Sequence, residues 1–237
     1  MPPRLEQLTR VPFAHRGLHG PTVVENSPDA FRAAIAAGHG IELDVQAAAD
    51  GTAFVFHDAQ LDRLTDATGP LVALAPDRLR TVRLRGSGEP LATLAQVLTL
   101  VAGRVPVLVE IKASDTRRDA LCRSVGRALE GYAGPVAVMS FDPRIVGWFV
   151  RGAPAVVRGL VVSEQGARGW RGRLERTLSL GVARPDFLAH DIRDLPSPFA
   201  ARLRASGRPV LTWTVRSPAD RAVAAEYADQ IIYETGG

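Results

Sequence analysis

The amino-acid sequence predicts an α/β protein whose parallel strands close into a TIM-type (β/α)₈ barrel, with a small insertion after the second strand and its hairpin. Short apolar runs rich in β-branched residues alternate with amphipathic segments along most of the 237-residue chain. That alternation is typical of a parallel sheet covered by helices. Eight such runs occur, which is the strand number of the barrel. A doubly wound open sheet is the alternative, but the sequence lacks the Gly-rich phosphate turn of that fold.

Local signals place the elements in order. The predicted strands are Val11–His15, Gly40–Val45, Val107–Ile111, Val136–Phe141, Val156–Val162, Asp186–His190, Pro209–Val215 and Gln230–Tyr233. The predicted helices are Ser27–Ala37, Thr93–Val101, Asp115–Gly131, Pro143–Arg151, Arg168–Leu180, Pro196–Ala205 and Ser217–Tyr227. Ser27-Pro28 and Ser217-Pro218 each combine an N-cap residue with proline at the first helical position, and Gly38 is suited to end its helix.

One strand-like segment, Phe54–His57, follows the second strand too closely for a parallel crossover, which needs about a dozen residues. The link contains Asp50-Gly51, a favoured hairpin turn, so this segment is predicted to run antiparallel beside the second strand. Residues 58–90 then form an irregular insertion on the rim of the barrel. The whole chain, residues 1–237, is predicted to be one domain, because barrels of this length are commonly single domains.

Composition narrows the class of protein. Apolar residues make up 46% and charged residues 23% of the chain, which is typical of a globular protein. The net charge of +4 comes without a long basic run, so we expect no nucleic-acid partner. The lone cysteine, Cys122, excludes a disulfide framework. We see neither a signal peptide nor an apolar run of ~18 residues, so we expect a cytoplasmic protein without stable membrane insertion. The sequence leaves the oligomeric state open.

Acidic residues recur at a spacing of two in two predicted strands. Glu42 and Asp44 lie on one face of the second strand, and Glu110 and Lys112 repeat the spacing in the third. Neighbouring carboxylates in a barrel repel one another, so they need a cation or a shared proton. Oxygen ligands suit a hard ion, and we therefore predict one divalent cation, Mg²⁺ or Ca²⁺, as cofactor. A structural cluster of ion pairs is the alternative.

Two histidines are predicted to lie above these carboxylates. His15 ends the first strand, where barrel enzymes place catalytic groups. Arg16 beside it can donate two hydrogen bonds to a pair of phosphate oxygens. His57 ends the hairpin strand, and two imidazoles can share acid and base roles at neutral pH. Lys112 is the only lysine among 29 Lys and Arg residues, which indicates that a compact ammonium is needed there.

An ordered set of short motifs spans nearly the whole chain. The motifs are Ala14-His15-Arg16-Gly17, Glu25-Asn26-Ser27, Ala30-Phe31, residues 40–46 (GIELDVQ), Asp50-Gly51, residues 55–58 (VFHD), residues 90–98 (PLATLAQVL), residues 110–112 (EIK), residues 140–142 (SFD) and residues 213–215 (WTV). Together they resemble the glycerophosphodiester phosphodiesterase family. The resemblance implies a TIM-like barrel enzyme that hydrolyses a small-molecule glycerophosphodiester to sn-glycerol 3-phosphate and an alcohol.

The resemblance also implies roles for individual residues. Glu42, Asp44 and Glu110 would be the metal ligands. His15 and His57 would be the general acid and base. Arg16 and Lys112 would contact the phosphate or the metal shell, and Trp213 would line the glycerol side.

The chain departs from the family pattern at two places. Ala48-Ala49 replaces the Thr-Lys that usually precedes the Asp-Gly turn. Tyr233-Glu234 stands where the family usually has Thr-Asp or Thr-Asn after the last strand.

Two alternative functions remain at this stage. The first is a related phosphodiesterase that acts on lysophospholipid or sphingomyelin-type substrates with the same catalytic centre, and an apolar rim would favour it. The second is a non-catalytic phosphoester-binding protein, which the full set of two histidines, three acids and a lysine disfavours.

Overall fold

The structure is a computed structural model that describes residues 3–112 and 116–235. Within these ranges, eight parallel strands form a closed ring, because β1 pairs with both β2 and β9. The strands are β1 Phe13–Ala14, β2 Gly40–Ala47, β3 Ala53–Val55, β4 Val107–Ile111, β5 Val136–Ser140, β6 Val157–Val162, β7 Phe187–Asp191, β8 Val210–Val215 and β9 Gln230–Tyr233, of which β3 lies outside the ring. The predicted barrel is confirmed, and a closed ring excludes the doubly wound sheet.

The predicted hairpin is confirmed as well. Strand β3 runs antiparallel to β2, with Val45 opposite Val55. At the turn, Gly51 adopts a φ of +91°, and a side chain there would come within 2.5 Å of Ala120 Cβ. Glycine is therefore favoured at this turn by both the backbone conformation and the close approach of the helix that contains Ala120.

Helices cover the outside of the ring. They are α2 Pro28–Ala36, α4 Leu94–Val101, α5 Arg118–Leu129, α6 Pro143–Gly152, α7 Trp170–Ala183, α8 Pro198–Ala205 and α9 Pro218–Tyr227. Two short helices lie elsewhere: α1 Pro3–Glu6 contributes Leu5 to the cluster of side chains inside the ring, and α3 Pro76–Leu79 lies within residues 58–90. The hydroxyl of Ser27 caps α2 and that of Ser217 caps α9, as predicted. No helix in the described ranges is long and apolar enough to cross a bilayer.

Several predicted boundaries differ. The hairpin strand is Ala53–Val55 rather than Phe54–His57, so His57 lies two residues beyond the end of the strand. The first strand is shorter than Val11–His15, since Arg16 turns the chain away with a φ of +56°. Helix α8 begins at Pro198 rather than Pro196, because the hydroxyl of Ser197 accepts the first free N–H groups. Helix α7 starts two residues after Arg168. The predicted helix start at Asp115 lies outside the described residues.

Residues 58–90 have a small apolar core of their own. It joins Phe54 and Phe56 from the hairpin segment to Leu61, Leu71 and Leu79 of the insertion, and all five side chains are fully buried. The insertion thus packs against the hairpin, next to the barrel end at which His57 lies. That residues 58–90 are a rim insertion within a single domain, residues 1–237, stays a prediction.

Candidate active site

Three buried carboxylates meet at the carboxyl-terminal part of the barrel interior. Glu42 and Asp44 lie on β2, and Asp44 is directly opposite Glu110 of β4. Their exposed fractions are 0%, 1% and 7%. One oxygen from each lies within 4.8 Å of the others, close enough to bind a single ion. The alternation of β2 produces this arrangement, since Leu43 and Val45 point outward into the core beneath the helices.

Cationic side chains and amide N–H groups contact most, but not all, of the carboxylate oxygens of this cluster. Lys112 Nζ lies 2.6 Å from Glu110 Oε1 and 3.3 Å from Asp44 Oδ1. Asp44 Oδ2 accepts the Asn26 amide at 3.0 Å and lies 3.3 Å from Arg16 Nε. Glu42 Oε2 accepts the backbone N–H of Arg16 at 3.0 Å. Glu42 Oε1 is buried and has no hydrogen-bond partner among the described residues.

The three carboxyl groups differ in acidity. Burial and the neighbouring charge of Asp44 raise the pKa of Glu42 to about 8. The same two causes raise the pKa of Glu110. Burial also opposes ionisation of Asp44, but Lys112 and Arg16 outweigh it and lower the pKa of that carboxyl. Further positive charge beside Glu42 and Glu110 would therefore favour full ionisation of the cluster.

The donor set fits a hard divalent cation. Carboxylate oxygens are the ligands that Mg²⁺ and Ca²⁺ prefer, and the unpartnered Glu42 Oε1 is one such oxygen. A second group, His15, His19 and Glu234, also brings possible ligand atoms within 4.8 Å of one another. There, however, Glu234 already accepts hydrogen bonds from His15 and Arg216.

His15 is held by a carboxylate from the end of the chain. Its Nδ1 lies 2.6 Å from Glu234 Oε1, and its Nε2 lies 3.9 Å from Glu42 Oε2. Arg216 donates to both oxygens of Glu234, at 2.6 and 3.1 Å. Burial opposes the charge on His15, but the hydrogen bond that its Nδ1–H donates to Glu234 and the charges of Glu42 and Asp44 together outweigh burial and raise the pKa of the imidazole. The bond to His15, with Arg216, lowers the pKa of Glu234 to about 2.

His57 has a matching arrangement. Its Nδ1 lies 2.8 Å from Asp58 Oδ1, and Arg63 Nε donates to Asp58 Oδ2 at 2.5 Å. Arg63, aided by His57, lowers the pKa of Asp58 to about 2. Arg63 also pairs with Glu25, which in turn pairs with Arg16 at 2.8 Å. Each histidine thus has Nδ1 bound to an arginine-held carboxylate, which leaves Nε2 for other partners.

All eight predicted site residues lie at one end of the barrel. A cavity of about 480 Å³ is lined by six of them: His15, Arg16, His57, Glu110, Lys112 and Trp213. Glu42 and Asp44 lie beneath, in contact with His15 and Lys112. A second cavity has a volume of about 500 Å³, and His57 and Lys112 line both cavities. Pro70, Val72 and Phe141 form an apolar side of the second one.

Trp213 lies at the wall of the first cavity. Its Nε1 donates to the Ala189 carbonyl at 3.1 Å, and its ring meets Phe141 edge-on with centroids 5.5 Å apart. His190, at the end of β7, is buried outside the cluster and contacts Glu164 at 3.3 Å. The sequence did not predict that Glu234, held by Arg216, would contact His15. The departure from the family pattern at Tyr233-Glu234 was the signal that could have pointed to it.

Comparison with known proteins gives a consistent result. A sequence model of the glycerophosphoryl diester phosphodiesterase family matches residues 15–233. A probable glycerophosphodiester phosphodiesterase 2 of Mycobacterium tuberculosis is 30% identical over 226 residues, which cover 88% of this chain and 81% of that protein.

Solved structures share the fold. A phosphodiesterase of Oleispira antarctica, in complex with the product sn-glycerol 3-phosphate, has a TM-score of 0.82 at 21% identity, with 96% of this chain and 94% of that chain covered. A putative glycerophosphoryl diester phosphodiesterase of Silicibacter pomeroyi has a TM-score of 0.81 at 23% identity, with 97% and 93% covered. At these identities the likeness establishes the barrel.

Proposed function

Because the chain belongs to the glycerophosphoryl diester phosphodiesterase family, we propose that it hydrolyses glycerophosphodiesters to sn-glycerol 3-phosphate and an alcohol with one divalent cation. One observation carries the proposal. Two histidines, each with Nδ1 bound to a carboxylate, border a cavity above three buried carboxylates and a lysine. The product held by the Oleispira antarctica enzyme supports the same class of substrate.

Glu42, Asp44 and Glu110 would hold the cation. When bound, it would neutralise phosphate charge and act as a Lewis acid on a phosphoryl oxygen. Lys112 and Arg16 would add positive charge at the same end of the cavity, where charge develops on the phosphoryl group in the transition state. The Trp213 ring would line the side that receives the glycerol moiety.

The two histidines would divide the proton transfers. One imidazole Nε2 would take a proton from the nucleophile, which is water or the glycerol hydroxyl next to the ester. The other would donate a proton to the leaving alkoxide, so that the alcohol departs neutral. Attack by the glycerol hydroxyl would form a cyclic phosphate, which water would then open to sn-glycerol 3-phosphate.

A coupled assay of glycerol 3-phosphate release, over a panel of glycerophosphodiesters, tests the proposal. We expect turnover with Mg²⁺ or Ca²⁺ and its loss in chelator. His15→Ala and His57→Ala are each expected to reduce kcat by ~10²-fold or more. His39→Ala is the matched control, because His39 lies outside the cluster and contacts Tyr233. Full activity in chelator would contradict the metal site, and smaller losses in both histidine variants would contradict the two-histidine scheme.

A second candidate substrate class shares the same centre. The exposed side chains of Val72 and Phe141 border the second cavity beside His57, which favours a substrate whose glycerol moiety carries an apolar chain, as in a lysophospholipid; the headgroup alcohol would leave and the phosphate would stay on the acylated glycerol. Assaying lysophospholipids and glycerophosphodiesters alike for release of the headgroup alcohol separates the two classes, because a lysophospholipid would not yield glycerol 3-phosphate. A kcat/KM that is at least about tenfold higher for a lysophospholipid than for glycerophosphodiesters, and that falls in Val72→Asp, would favour the second.

A further inference from the structure

Helix α7 presents apolar side chains to the solvent. Among the described residues, six large apolar side chains are exposed, and four of them are Trp170, Leu174, Leu178 and Val182 of this helix. Their exposed fractions are 71%, 51%, 62% and 51%. The other two, Val72 and Phe141, border the second cavity of the candidate site. The α7 residues therefore need a separate explanation.

The four side chains form one continuous ridge. Residues spaced by four lie one above another on a helix, and the ridge from Trp170 to Val182 spans ~18 Å at 1.5 Å per residue. The opposite side of α7 is the one packed against the barrel, since Gly172, Arg176 and Ala183 are buried. Single exposed apolar residues are normal, whereas a contiguous apolar ridge indicates an interaction surface.

Positive charge borders this ridge. Arg171 and Arg173 lie on either side of its amino-terminal half, and the Arg171 guanidinium lies 5.3 Å from the centre of the Trp170 ring. Within the described residues neither arginine has an ion pair, whereas Arg176 pairs with Glu164 and Arg168 pairs with Asp194. Arg171 and Arg173 therefore carry two positive charges, and Glu175 is the only exposed acidic residue of α7. The border of the ridge has a net positive charge.

We propose that the α7 ridge docks reversibly on a bilayer surface that carries anionic phospholipid. A helix with Trp and Leu on one side and arginines at the border is the pattern of an interfacial helix. The apolar side chains would enter the boundary between headgroups and acyl chains, and the arginines would contact lipid phosphates. A second copy of the chain is disfavoured as the occupant. Two facing ridges would bring together four arginines and only two glutamates, which leaves an excess of positive charge at the contact.

Docking would also orient the candidate site. Helix α7 follows β6, so its first residue lies at the carboxyl-terminal end of the strands, where the catalytic cavity opens. Trp170 is therefore the ridge residue nearest to that end. A bilayer along the ridge would hold the cavity mouth beside the lipid surface, without any helix crossing it.

Vesicle co-sedimentation tests the proposal on the whole chain. We expect binding to phosphatidylcholine vesicles that contain phosphatidylglycerol, and at least about tenfold weaker binding to pure phosphatidylcholine. The double variant Leu174→Glu/Leu178→Glu is expected to lower the partition coefficient at least about tenfold, because two apolar contacts are lost. Arg171→Gln/Arg173→Gln is expected to weaken binding roughly tenfold or more, and only at low salt.

A matched variant adds the same charge elsewhere. Ala222→Glu/Ala225→Glu places two carboxylates on exposed positions of α9 and is expected to leave most of the vesicle binding intact. All variants should keep the wild-type melting temperature and the wild-type hydrolysis of a soluble glycerophosphodiester, which separates this proposal from the proposed function. If Leu174→Glu/Leu178→Glu melts early, the arginine variant alone decides.

Three results would overturn the proposal. The first is no binding of the wild type to phosphatidylglycerol vesicles. The second is binding that neither ridge variant weakens more than the α9 control does. The third is a dimer, detected by light scattering, that becomes a monomer in Leu174→Glu/Leu178→Glu, because the ridge would then be a contact between two copies.

Discussion

Glu234 fixes the orientation of the His15 imidazole and favours its protonated form. Its carboxylate binds Nδ1 of His15 at 2.6 Å and is itself held by Arg216. Glu234→Gln removes the charge that favours the imidazolium and allows the amide to stabilise the wrong tautomer. We expect kcat to fall roughly 10- to 100-fold, as for other residues that orient a functional histidine, with little change in KM. Steady-state kinetics on a soluble glycerophosphodiester measures both.

The control for this variant is Glu226→Gln, the same change at an exposed position of α9, which should leave kcat unchanged. Glu234→Asp keeps the charge and should recover part of the loss. An unchanged kcat in Glu234→Gln, or an equal loss in Glu226→Gln, would contradict a positioning role for Glu234.

The same residue marks the limit of prediction at this scale. Glu42, Asp44 and Glu110 could be placed together from sequence, because strand alternation is a local rule and neighbouring strands bring the faces into register. Glu234 lies 219 residues from His15 in the chain. No local rule joins them, and only closure of the ring through β1 and β9 brings them into contact.

At the scale of elements, the β2–β3 hairpin depends on Gly51. Gly51→Ala must accept a φ of +91° and a contact of 2.5 Å with Ala120 Cβ. We expect the free energy of unfolding to fall by about 1 kcal/mol for the backbone, and by a further ~1–3 kcal/mol for the overpacked contact. Urea titration measures the change, and the slope of unfolding free energy against urea should stay constant.

Gly69→Ala provides the comparison, because Gly69 has a φ of +87° but nothing within 4 Å of the added Cβ. It should show the backbone cost alone. Equal losses in the two variants would mean that the turn tolerates the contact with α5, and that packing there does not fix the hairpin.

Elements with local signals were predicted well, and those with tertiary causes were not. The capping hydroxyls of Ser27 and Ser217 act on N–H groups within three residues, so the sequence reveals them. The core of the insertion depends on Leu71 and Leu79 meeting Phe54 of the hairpin segment. That contact is non-local, and residues 58–90 therefore read as irregular. The exposed ridge of α7 was likewise hidden, because helical spacing alone does not say which side of a helix faces the barrel.

At the scale of the whole molecule, the buried carboxylates link stability to pH and to the cation. The pKa of Glu42 is raised to about 8 in the folded protein, above its ordinary value of about 4.5. A raised carboxyl pKa means that the stability it contributes is present below about pH 4.5 and is lost as the pH rises through 8. Asp58 and Glu234, with pKa values of about 2, have the opposite sign and lose their contribution only as the pH falls from about 5 towards 2. Between pH 5 and 8, Glu42 therefore contributes more than Asp58 or Glu234 to the change of folding stability with pH.

A divalent cation at the cluster would replace the proton that Glu42 otherwise retains, so its stabilising effect should grow with pH. We expect Mg²⁺ or Ca²⁺, at about 100 times its Kd, to raise the melting temperature by roughly 5–10 °C at pH 8. The rise should be smaller at pH 5, where protons compete for the carboxylates. Glu42→Gln should reduce the rise at pH 8 to a small remainder, while Glu130→Gln, at an exposed position, should keep it. Differential scanning calorimetry with and without the ion gives these values independently of catalysis. An increment that is equal at both pH values, or that Glu42→Gln retains in full, would mean that the cation does not bind at Glu42.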